Sequence, residues 1–268
     1  MGTTLYKNAD WIITMNEKRE KIRHGDLLIS GKEILDVGTD LEKKYEGTLK
    51  IDHVVEAEGT VILPGFVNVH HHTWQSLIRN IQATRGLKLE PWLTVMYEIY
   101  KDLNTDVARA GVYSGLGDML KTGCTSSNDL WYPHPVGVKY LVDAEIEAAA
   151  EIGIRFHPTR GFHSVPSSIV PPEVVDTKES VVEDTIRLVK KYHDRSRFSM
   201  CQVGIAPSIA QYETEDIIEA VVDLAEEYDI MVHGHLAESQ HEVEYTLKTW
   251  GCRPFEWFKR HRLLGKRF

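Results

Sequence analysis

The stretch VILPGFVNVHHH, residues 61–72, combines an apolar run of strand length with a terminal cluster of three histidines. A second stretch, IMVHGHLAES at residues 230–239, has the same form and ends in two histidines and a glutamate. Short apolar runs bounded by turn or polar residues are typical of strands. Both stretches are therefore predicted to be strands with their polar residues at the C-terminal ends.

The chain around these stretches alternates short apolar runs with long amphipathic segments, beginning at Gly59. This alternation is typical of repeated β-α units. The predicted strands are residues 61–69, 124–128, 154–159, 200–206 and 230–235, and the predicted helices are residues 105–121, 136–151, 178–193 and 213–228. A doubly wound sheet can contain five strands, whereas a closed (β/α)8 barrel needs eight.

Residues 1–58 have a different pattern, in which short β-rich runs are separated by turns. Strands are predicted near residues 11–15, 26–29, 33–37 and 50–56, and residues 40–45 suggest the one helix of this part. A segment of this size with open edges needs a partner for stability. The pattern therefore divides the chain into residues 1–58 and 59–268.

The charge balance restricts the class of partner. The 268 residues carry a formal net charge of −9 at pH 7, which disfavours nucleic acid or an anionic membrane as the main partner. Neither an 18-residue apolar run nor an N-terminal apolar signal stretch occurs in the sequence, so a cytoplasmic protein is expected. The three cysteines form no C-x-x-C pair and predict neither a disulfide framework nor a thiolate zinc site. A small, neutral or weakly charged molecule is the expected partner.

The histidines at the two strand ends have the spacing of metal ligands. Side chains alternate along a strand, so His70 and His72 point to one face, and His233 and His235 share a face in the same way. Two imidazoles at such a spacing can bind one divalent metal ion. Glu238 follows just beyond the second strand, where a carboxylate can reach a metal-bound water.

An isolated H-x-H pair is more often a polar cluster at the start of a loop or a pH-sensitive patch. Two such pairs at strand ends of one βα-repeat chain, the second followed by Glu238, favour a metal site instead. In a barrel both strand ends open on the same C-terminal mouth, where catalytic residues collect. We therefore expect His70, His72 and His235 to converge there.

These motifs also give the chain a resemblance to a known family. PGFVNVHHH at residues 64–72 and HLAES at residues 235–239 resemble the cytosine deaminase and chlorohydrolase branch of the amidohydrolase superfamily. The stretches DAEIEAAAEIGIRFHPTRG, HLAESQHEVEY and GCRPFEWF are most similar to the 8-oxoguanine deaminase and hydroxyatrazine-type aminohydrolase group. The resemblance covers essentially the whole chain. It implies an α/β fold: residues 59–268 form the first five βα units of a (β/α)8 TIM barrel, and residues 1–58 form part of a small β-sandwich.

The resemblance implies a mononuclear metal site. His70 and His72 correspond to the metal ligands of the first strand, His235 to the ligand of the fifth strand, and Glu238 to the carboxylate that shuttles protons to the leaving nitrogen. The implied ion is Zn2+, with Fe2+ as the alternative. The implied reaction is hydrolytic deamination of an amino-substituted heterocycle of purine, pyrimidine or triazine type, by attack of metal-bound hydroxide.

Three further residues are candidates for substrate contact, and two of them, Arg160 and His163, fall where the related enzymes carry substrate-facing groups. Arg160 and His163 lie in the loop after the third predicted strand, and Gln75 lies just beyond the first histidine pair. Gln75 fits a plain polar residue at a helix start equally well. The sequence TRGFHS differs from the small residues that follow this glycine in oxoguanine-type enzymes, which leaves the exact substrate open.

The family carries two more site residues, a histidine on the sixth barrel strand and an aspartate that ends the eighth. Residues 263–268 lie about where the sixth strand should begin. We therefore expect a C-terminally truncated family member, inactive or nearly so by itself, and a homo-oligomer for its intact form. The alternatives are an inactive or split-gene fragment, and a chlorohydrolase or ring-opening hydrolase on the same scaffold.

Overall fold

The computed structural model describes residues 2–268, and the contacts divide the chain into two units, Met1–Gly65 and Phe66–Phe268. The first unit contains a mixed five-stranded sheet and one short helix. Its elements are β1 (Thr3–Ile13), β2 (Lys21–Ser30), β3 (Glu33–Gly38), α1 (Leu41–Lys44), β4 (His53–Glu56) and β5 (Val61–Ile62).

The sheet of the first unit has the order β3-β2-β1-β4, and β5 also pairs with β1. β1 is antiparallel to β2 and parallel to β4 and β5. Alternating side chains of β1 are buried, which produces two small apolar clusters. Leu5 packs with Leu28 and Leu41 in one cluster, and Ala9 packs with Ile12 in the other.

The second unit is an α/β structure with one four-stranded sheet. Its strands are all parallel and have the order β6-β7-β8-β9, as in one half of a barrel. Helices join the strands, as parallel pairing requires. The elements are β6 (Phe66–Asn68), α2 (Leu89–Tyr100), α3 (Thr105–Lys121), β7 (Cys124–Trp131), α4 (Leu141–Ile152), β8 (Arg155–Phe162), α5 (Lys178–Tyr192), β9 (Gly204–Pro207), α6 (Glu215–Tyr228), α7 (Gln240–Trp250) and α8 (Pro254–Arg260), with 3-10 turns at Thr73–Leu77, Gln82–Thr84, Pro172–Val174 and Ala210–Tyr212.

Local signals explain where the helices begin and end. The Asn104 side chain accepts hydrogen bonds from the main-chain N–H groups of Asp106 and Val107, at 3.0 and 3.1 Å, and so caps α3. Gly153 ends α4 in the left-handed conformation, with φ 77°, which a residue without Cβ adopts at little cost. No helix among residues 2–268 combines the length and apolar character needed to cross a bilayer.

The predicted strand at residues 61–69 is two separate strands. β5 pairs with β1 in the first unit, whereas β6 begins at Phe66 and pairs with β7. Pro64 lies between them and has no N–H to donate to a ladder, so the strand is interrupted there. The domain limits 1–58 and 59–268 stay a prediction.

The predicted fifth strand, residues 230–235, is an extended segment rather than a regular strand. A single parallel bridge joins Val232 to Ile205 of β9. Main-chain N–H groups of His233 and His235 donate to the carbonyls of Ile205 and Ser208, both at 2.9 Å. These bonds align the segment with the sheet and place its histidines at the same edge as the ends of the four strands.

Candidate metal centre

Three histidines converge at the C-terminal edge of the parallel sheet. His70 and His72 follow β6, and His235 ends the extended segment beside β9. One ring nitrogen from each can be chosen so that all three lie within 4.8 Å of one another. The ring centroids are 4.9 Å apart for His70 and His72, 5.0 Å for His70 and His235, and 5.3 Å for His72 and His235. The expected convergence is therefore present, while the role of these residues as ligands stays a prediction.

The hydrogen bonds of His72 and His235 define the tautomer of each ring. Nδ1 of His72 lies 2.7 Å from the carbonyl of Leu130, and Nδ1 of His235 lies 3.0 Å from the carbonyl of Ser208. A carbonyl oxygen only accepts, so each Nδ1 carries the proton and each Nε2 keeps a free lone pair. The two Nε2 atoms lie 3.3 Å apart. A divalent cation between them would satisfy both lone pairs, and main-chain acceptors on the far nitrogen are typical of metal-binding histidines.

His233 extends this cluster inward. Its Nε2 lies 2.8 Å from Nδ1 of His70, so one of these nitrogens donates to the other. His233 does not belong to the group of three nitrogens that could hold one ion. The contact orients the ring of His70. It could be anticipated from the sequence, because side-chain alternation along residues 230–235 places His233 on the same face as His235.

Burial keeps the imidazoles of the cluster neutral. It lowers the pKa of His72 well below the ordinary value and lowers the pKa of His70 and His235, with further lowering for His72 and His70 by the neighbouring His235. Burial, followed by the proximity of His70, lowers the pKa of His233 to about 4. A neutral imidazole is the form that binds a metal ion, so the rings are ready to bind near pH 7.

A cavity of about 260 Å³ opens beside the histidines. Three of the predicted site residues besides the histidine ligands line it: Gln75, His163 and Glu238. The rest of the wall is largely aromatic and apolar, which suits a flat ring. These other lining residues are Leu89, Glu90, Trp92, Leu93, Tyr97, Tyr132, Ser208, Ile209, Gln211 and Tyr212.

Glu238 lies at the rim of this cavity, and its main-chain N–H donates to Glu242 at 2.8 Å. Partial burial of the carboxyl group raises the pKa of Glu238, whereas the nearby His70 lowers it. A raised carboxyl pKa brings the group closer to the range in which it can both accept and deliver a proton. The position and the pKa direction both suit a general acid–base role, which stays a prediction.

Gln75 and His163 are held by tyrosine hydroxyls. Nε2 of Gln75 donates to the Tyr100 hydroxyl at 3.0 Å, and Nε2 of His163 hydrogen-bonds to the Tyr97 hydroxyl. Nδ1 of His163 is buried without a hydrogen-bond partner, and Glu213 lies 3.6 Å away. Burial lowers the pKa of His163 to about 3, so the ring is neutral.

Arg160 is not among the cavity-lining residues. Its guanidinium group is buried and donates to Asp184 at 2.9 Å and to both oxygens of Asp176 at 2.8 and 3.1 Å. Coulombic attraction and hydrogen bonds from these aspartates raise its pKa against the lowering effect of burial. The guanidinium is therefore saturated by structural partners, and a substrate-facing role for Arg160 stays a prediction that this geometry does not support.

Sequence reasoning missed several residues of the cavity. Tyr97 and Trp92 come from α2, which was not predicted, and Tyr132 follows β7. Gln211 contributes a buried side-chain oxygen without a hydrogen-bond partner. Tyr132 could have been anticipated, because it lies a few residues after the predicted strand at residues 124–128. No feature of the sequence distinguishes Gln211.

Comparison with known proteins identifies the family and supports the fold. The sequence profile of the amidohydrolase family matches residues 61–261; the chain belongs to this family. An 8-oxoguanine deaminase of Pseudomonas aeruginosa is 30% identical over 215 residues, covering 79% of this chain and 48% of the relative. Hydroxydechloroatrazine ethylaminohydrolase of Pseudomonas sp. strain ADP is 27% identical over 275 residues, covering 99% of this chain and 57% of the relative. The resemblance predicted from the motifs is confirmed.

A solved structure shows the same fold. The atrazine chlorohydrolase of Arthrobacter aurescens TC1, crystallised with zinc, matches with a TM-score of 0.89 at 24% identity, covering 98% of this chain and 59% of that chain. The chain spans about half the length of the curated relatives it matches.

Proposed function

We propose that this protein is a metal-dependent deaminase that hydrolyses a carbon–nitrogen bond of an amino-substituted heterocycle. The observation that carries the proposal is the pair of Nε2 lone pairs on His72 and His235, 3.3 Å apart, each ring fixed by a main-chain carbonyl at Nδ1. Among residues 2–268, only these two and His70 form a group that could hold a metal ion. In this proposal the strands β6–β9 and residues 230–235 correspond to the first five units of a (β/α)8 barrel.

The donor set fits a first-row divalent ion such as Zn2+, with Fe2+ as the alternative. Three neutral imidazoles are typical ligands for Zn2+, and each of the two best-placed rings presents a lone pair without rearrangement. A bound ion of this kind supplies a water of lowered pKa as nucleophile. His70, His72 and His235 would hold the ion.

The protein's own residues would handle the substrate and the protons. Glu238, at the cavity rim with a raised pKa, would protonate a ring nitrogen and then deliver a proton to the departing amine. Trp92, Tyr132 and Tyr212 line the cavity with aromatic surface, which favours a flat ring over a flexible chain. The deaminases among the relatives act on purine or triazine rings, in agreement with this cavity.

The test separates metal binding from turnover. Metal content of the purified protein, and zinc affinity by competition with a chromophoric chelator, are measured for wild type and for His72→Asn and His235→Asn. Both variants are expected to lose at least ~10-fold in affinity because a ligand is removed. His241→Asn, an exposed histidine on α7, is the matched control and should bind zinc like wild type.

Turnover is assayed on aminopurines and aminotriazines by ammonia release. Chlorotriazines are included, with chloride release as the readout for the chlorohydrolase alternative. Metal-dependent ammonia release is expected from a fusion of residues 1–268 with the last three barrel strands of a relative, whereas the 268 residues by themselves are expected to be inactive or nearly so. Zinc affinity that is unchanged by both histidine substitutions would reject the site, and chloride release without ammonia release would reject the deaminase assignment.

A further inference from the structure

A pair of buried carboxyl groups holds the turn that follows the first two histidines. Asp129 on β7 and Glu145 on α4 are both 0% exposed. Oδ1 of Asp129 accepts a hydrogen bond from the main-chain N–H of Thr73 at 2.6 Å. Glu145 accepts a hydrogen bond from the Thr73 hydroxyl. Both carboxyl groups therefore bind the residue directly after His72.

The second oxygen of each carboxyl group is buried and has no donor. These oxygens are Oδ2 of Asp129 and Oε2 of Glu145. No lysine or arginine of the described chain forms an ion pair with either group; the ionisable neighbour is His71, whose Nδ1 lies 3.9 Å from Oδ1 of Asp129. On the β8 side the neighbour is the uncharged Thr159, whose hydroxyl donates to the Asp129 carbonyl.

Charged side chains on the adjoining helices have other partners. Arg109 of α3 pairs with Glu147 and Glu151 on the exposed side of α4. Asp143, also on α4, pairs with Arg187 of α5. None of these ion pairs includes Asp129 or Glu145, so within residues 2–268 no lysine or arginine compensates two negative charges at this buried position.

We propose that Asp129 and Glu145 share one proton and act together as positioning residues for the turn that carries His70 and His72. One proton turns one carboxyl group into a donor to the other, and a hydrogen bond between the two side chains lowers the pKa of Asp129 and raises the pKa of Glu145. Two ionised carboxylates in the same buried space would repel each other and would both lose hydration. The metal-related part of this inference rests on the proposed function, whereas the shared proton does not.

The electrostatic balance favours Glu145 as the holder of the proton. Burial raises the pKa of both groups. The main-chain hydrogen bond from Thr73 lowers the pKa of Asp129, while the charge of Asp129 raises the pKa of Glu145 further. Asp129 is therefore the more acidic of the two groups, and Glu145 the one that binds the shared proton more tightly.

The number of protons bound is measurable from the pH dependence of folding. In the unfolded chain both carboxyl groups are ionised above a pH of about 5, whereas the folded pair retains one proton. The pair therefore lowers the folding equilibrium constant about tenfold for each pH unit between about pH 5 and pH 7. In Glu145→Gln, the amide N–H2 can donate to Asp129 and the amide oxygen can accept from Thr73, without a proton to lose.

Urea unfolding across this pH range is compared for wild type, Glu145→Gln and Glu147→Gln. In E145Q the folding equilibrium constant is expected to lose the tenfold decrease per pH unit that the pair causes. E147Q changes an exposed residue of the same helix and is expected to keep the wild-type dependence of the folding equilibrium constant on pH. Equal slopes in wild type and E145Q would overturn the shared proton. Infrared spectroscopy of the folded wild type gives a second reading: a protonated carboxyl band that E145Q lacks is expected, and its absence from wild type would also overturn the proposal.

Zinc affinity tests the positioning role. E145Q is expected to bind zinc within about threefold of wild type, since it restores every hydrogen bond. Glu145→Leu and Thr73→Val both lose the hydrogen bond from the Thr73 hydroxyl to Glu145 and are expected to weaken zinc binding by about 10–100-fold, the usual effect of losing an outer-shell partner. Wild-type affinity in a folded E145L or T73V protein would overturn the positioning role. Absence of zinc binding in wild type would reject the proposed metal site but leave the pH comparison valid.

Discussion

Gly111 of α3 packs directly against the backbone of Trp74, in the turn after the histidine cluster. A Cβ on Gly111 would lie 2.9 Å from the Trp74 Cα and 3.0 Å from the Thr73 carbonyl oxygen. Backbone atoms cannot move aside as the end of a flexible side chain can. The absence of a side chain at residue 111 is therefore what allows α3 to approach the turn.

Gly111→Ala is expected to destabilise the protein by about 1–3 kcal/mol because the added methyl group overpacks this contact. Gly117→Ala, in the same helix but with nothing within 4 Å of its added Cβ, is the control. It should stabilise by roughly 0.5–1 kcal/mol through helix propensity. Urea unfolding measures the change in the free energy of unfolding for each variant, which should be negative for Gly111→Ala and positive for Gly117→Ala. Equal changes at the two positions would contradict the packing argument.

In an enzyme completed with the last three barrel strands of a relative, Glu238→Gln is expected to keep metal affinity and to lower turnover. Gln preserves the shape of the side chain at the cavity rim but cannot exchange a proton. The expected loss in kcat is about 10²–10⁴-fold, the range typical of a general acid–base group. The control is Glu244→Gln, an exposed carboxylate on α7 that accepts from Gln240. An unchanged kcat in E238Q would remove Glu238 from the mechanism, and lost zinc binding would make it a ligand instead.

The sequence predicted those parts of the fold in which local signals and periodicity agree. Residues 105–121 were predicted as a helix and form α3 with the same bounds, because Asn104 caps its N-terminal end. α2 (LEPWLTVMYEIY) was missed, and its N-cap residue, Lys88, makes no side-chain capping hydrogen bond. Its residues Trp92 and Tyr97 nevertheless line the cavity wall, where tertiary packing rather than helix propensity determines their placement.

The candidate site likewise has one part that could be predicted from the sequence and one part that could not. Strand alternation predicted the convergence of His70, His72 and His235, since it depends only on parity and on the common edge of a parallel sheet. The carboxyl pair could not be predicted, because Asp129 and Glu145 lie on different elements and meet only through Thr73. Long-range contacts of this kind leave no periodic trace in the sequence.

His163 predicts a loss of stability on the acid side. Burial lowers its pKa to about 3, whereas an unfolded histidine titrates near about 6.5. Between these values the unfolded chain binds a proton that the folded chain does not, so stability is fully present above about pH 6.5 and falls as pH decreases. The expected slope is about 1.4 kcal/mol per pH unit.

His163→Gln removes this titration and should flatten the acid limb of a stability–pH curve measured by urea unfolding. His241→Gln, an exposed histidine, should leave the limb unchanged. This effect has the opposite sign to that of the Asp129–Glu145 pair, so the two can be distinguished by variants measured on one pH series. An acid limb that is identical in H163Q and wild type would show that His163 is protonated or accessible in the folded protein.

Arg160→Gln distinguishes a structural arginine from one that binds substrate. The guanidinium group is 2% exposed and bridges Asp176 and Asp184, so its removal leaves Asp176 without its cation, while Asp184 keeps its ion pair with Arg187. Breaking a buried pair in this way costs about 3–5 kcal/mol.

The control is Arg109→Gln, which removes a partly exposed arginine paired with Glu147 and Glu151 at the surface and should cost about 0–1 kcal/mol. Urea unfolding and zinc affinity are measured together: R160Q is expected to lose stability while a folded fraction binds zinc normally. Unchanged stability with a raised KM would instead assign Arg160 to the substrate, because a guanidinium group that contributes nothing to folding would be free to bind a ligand.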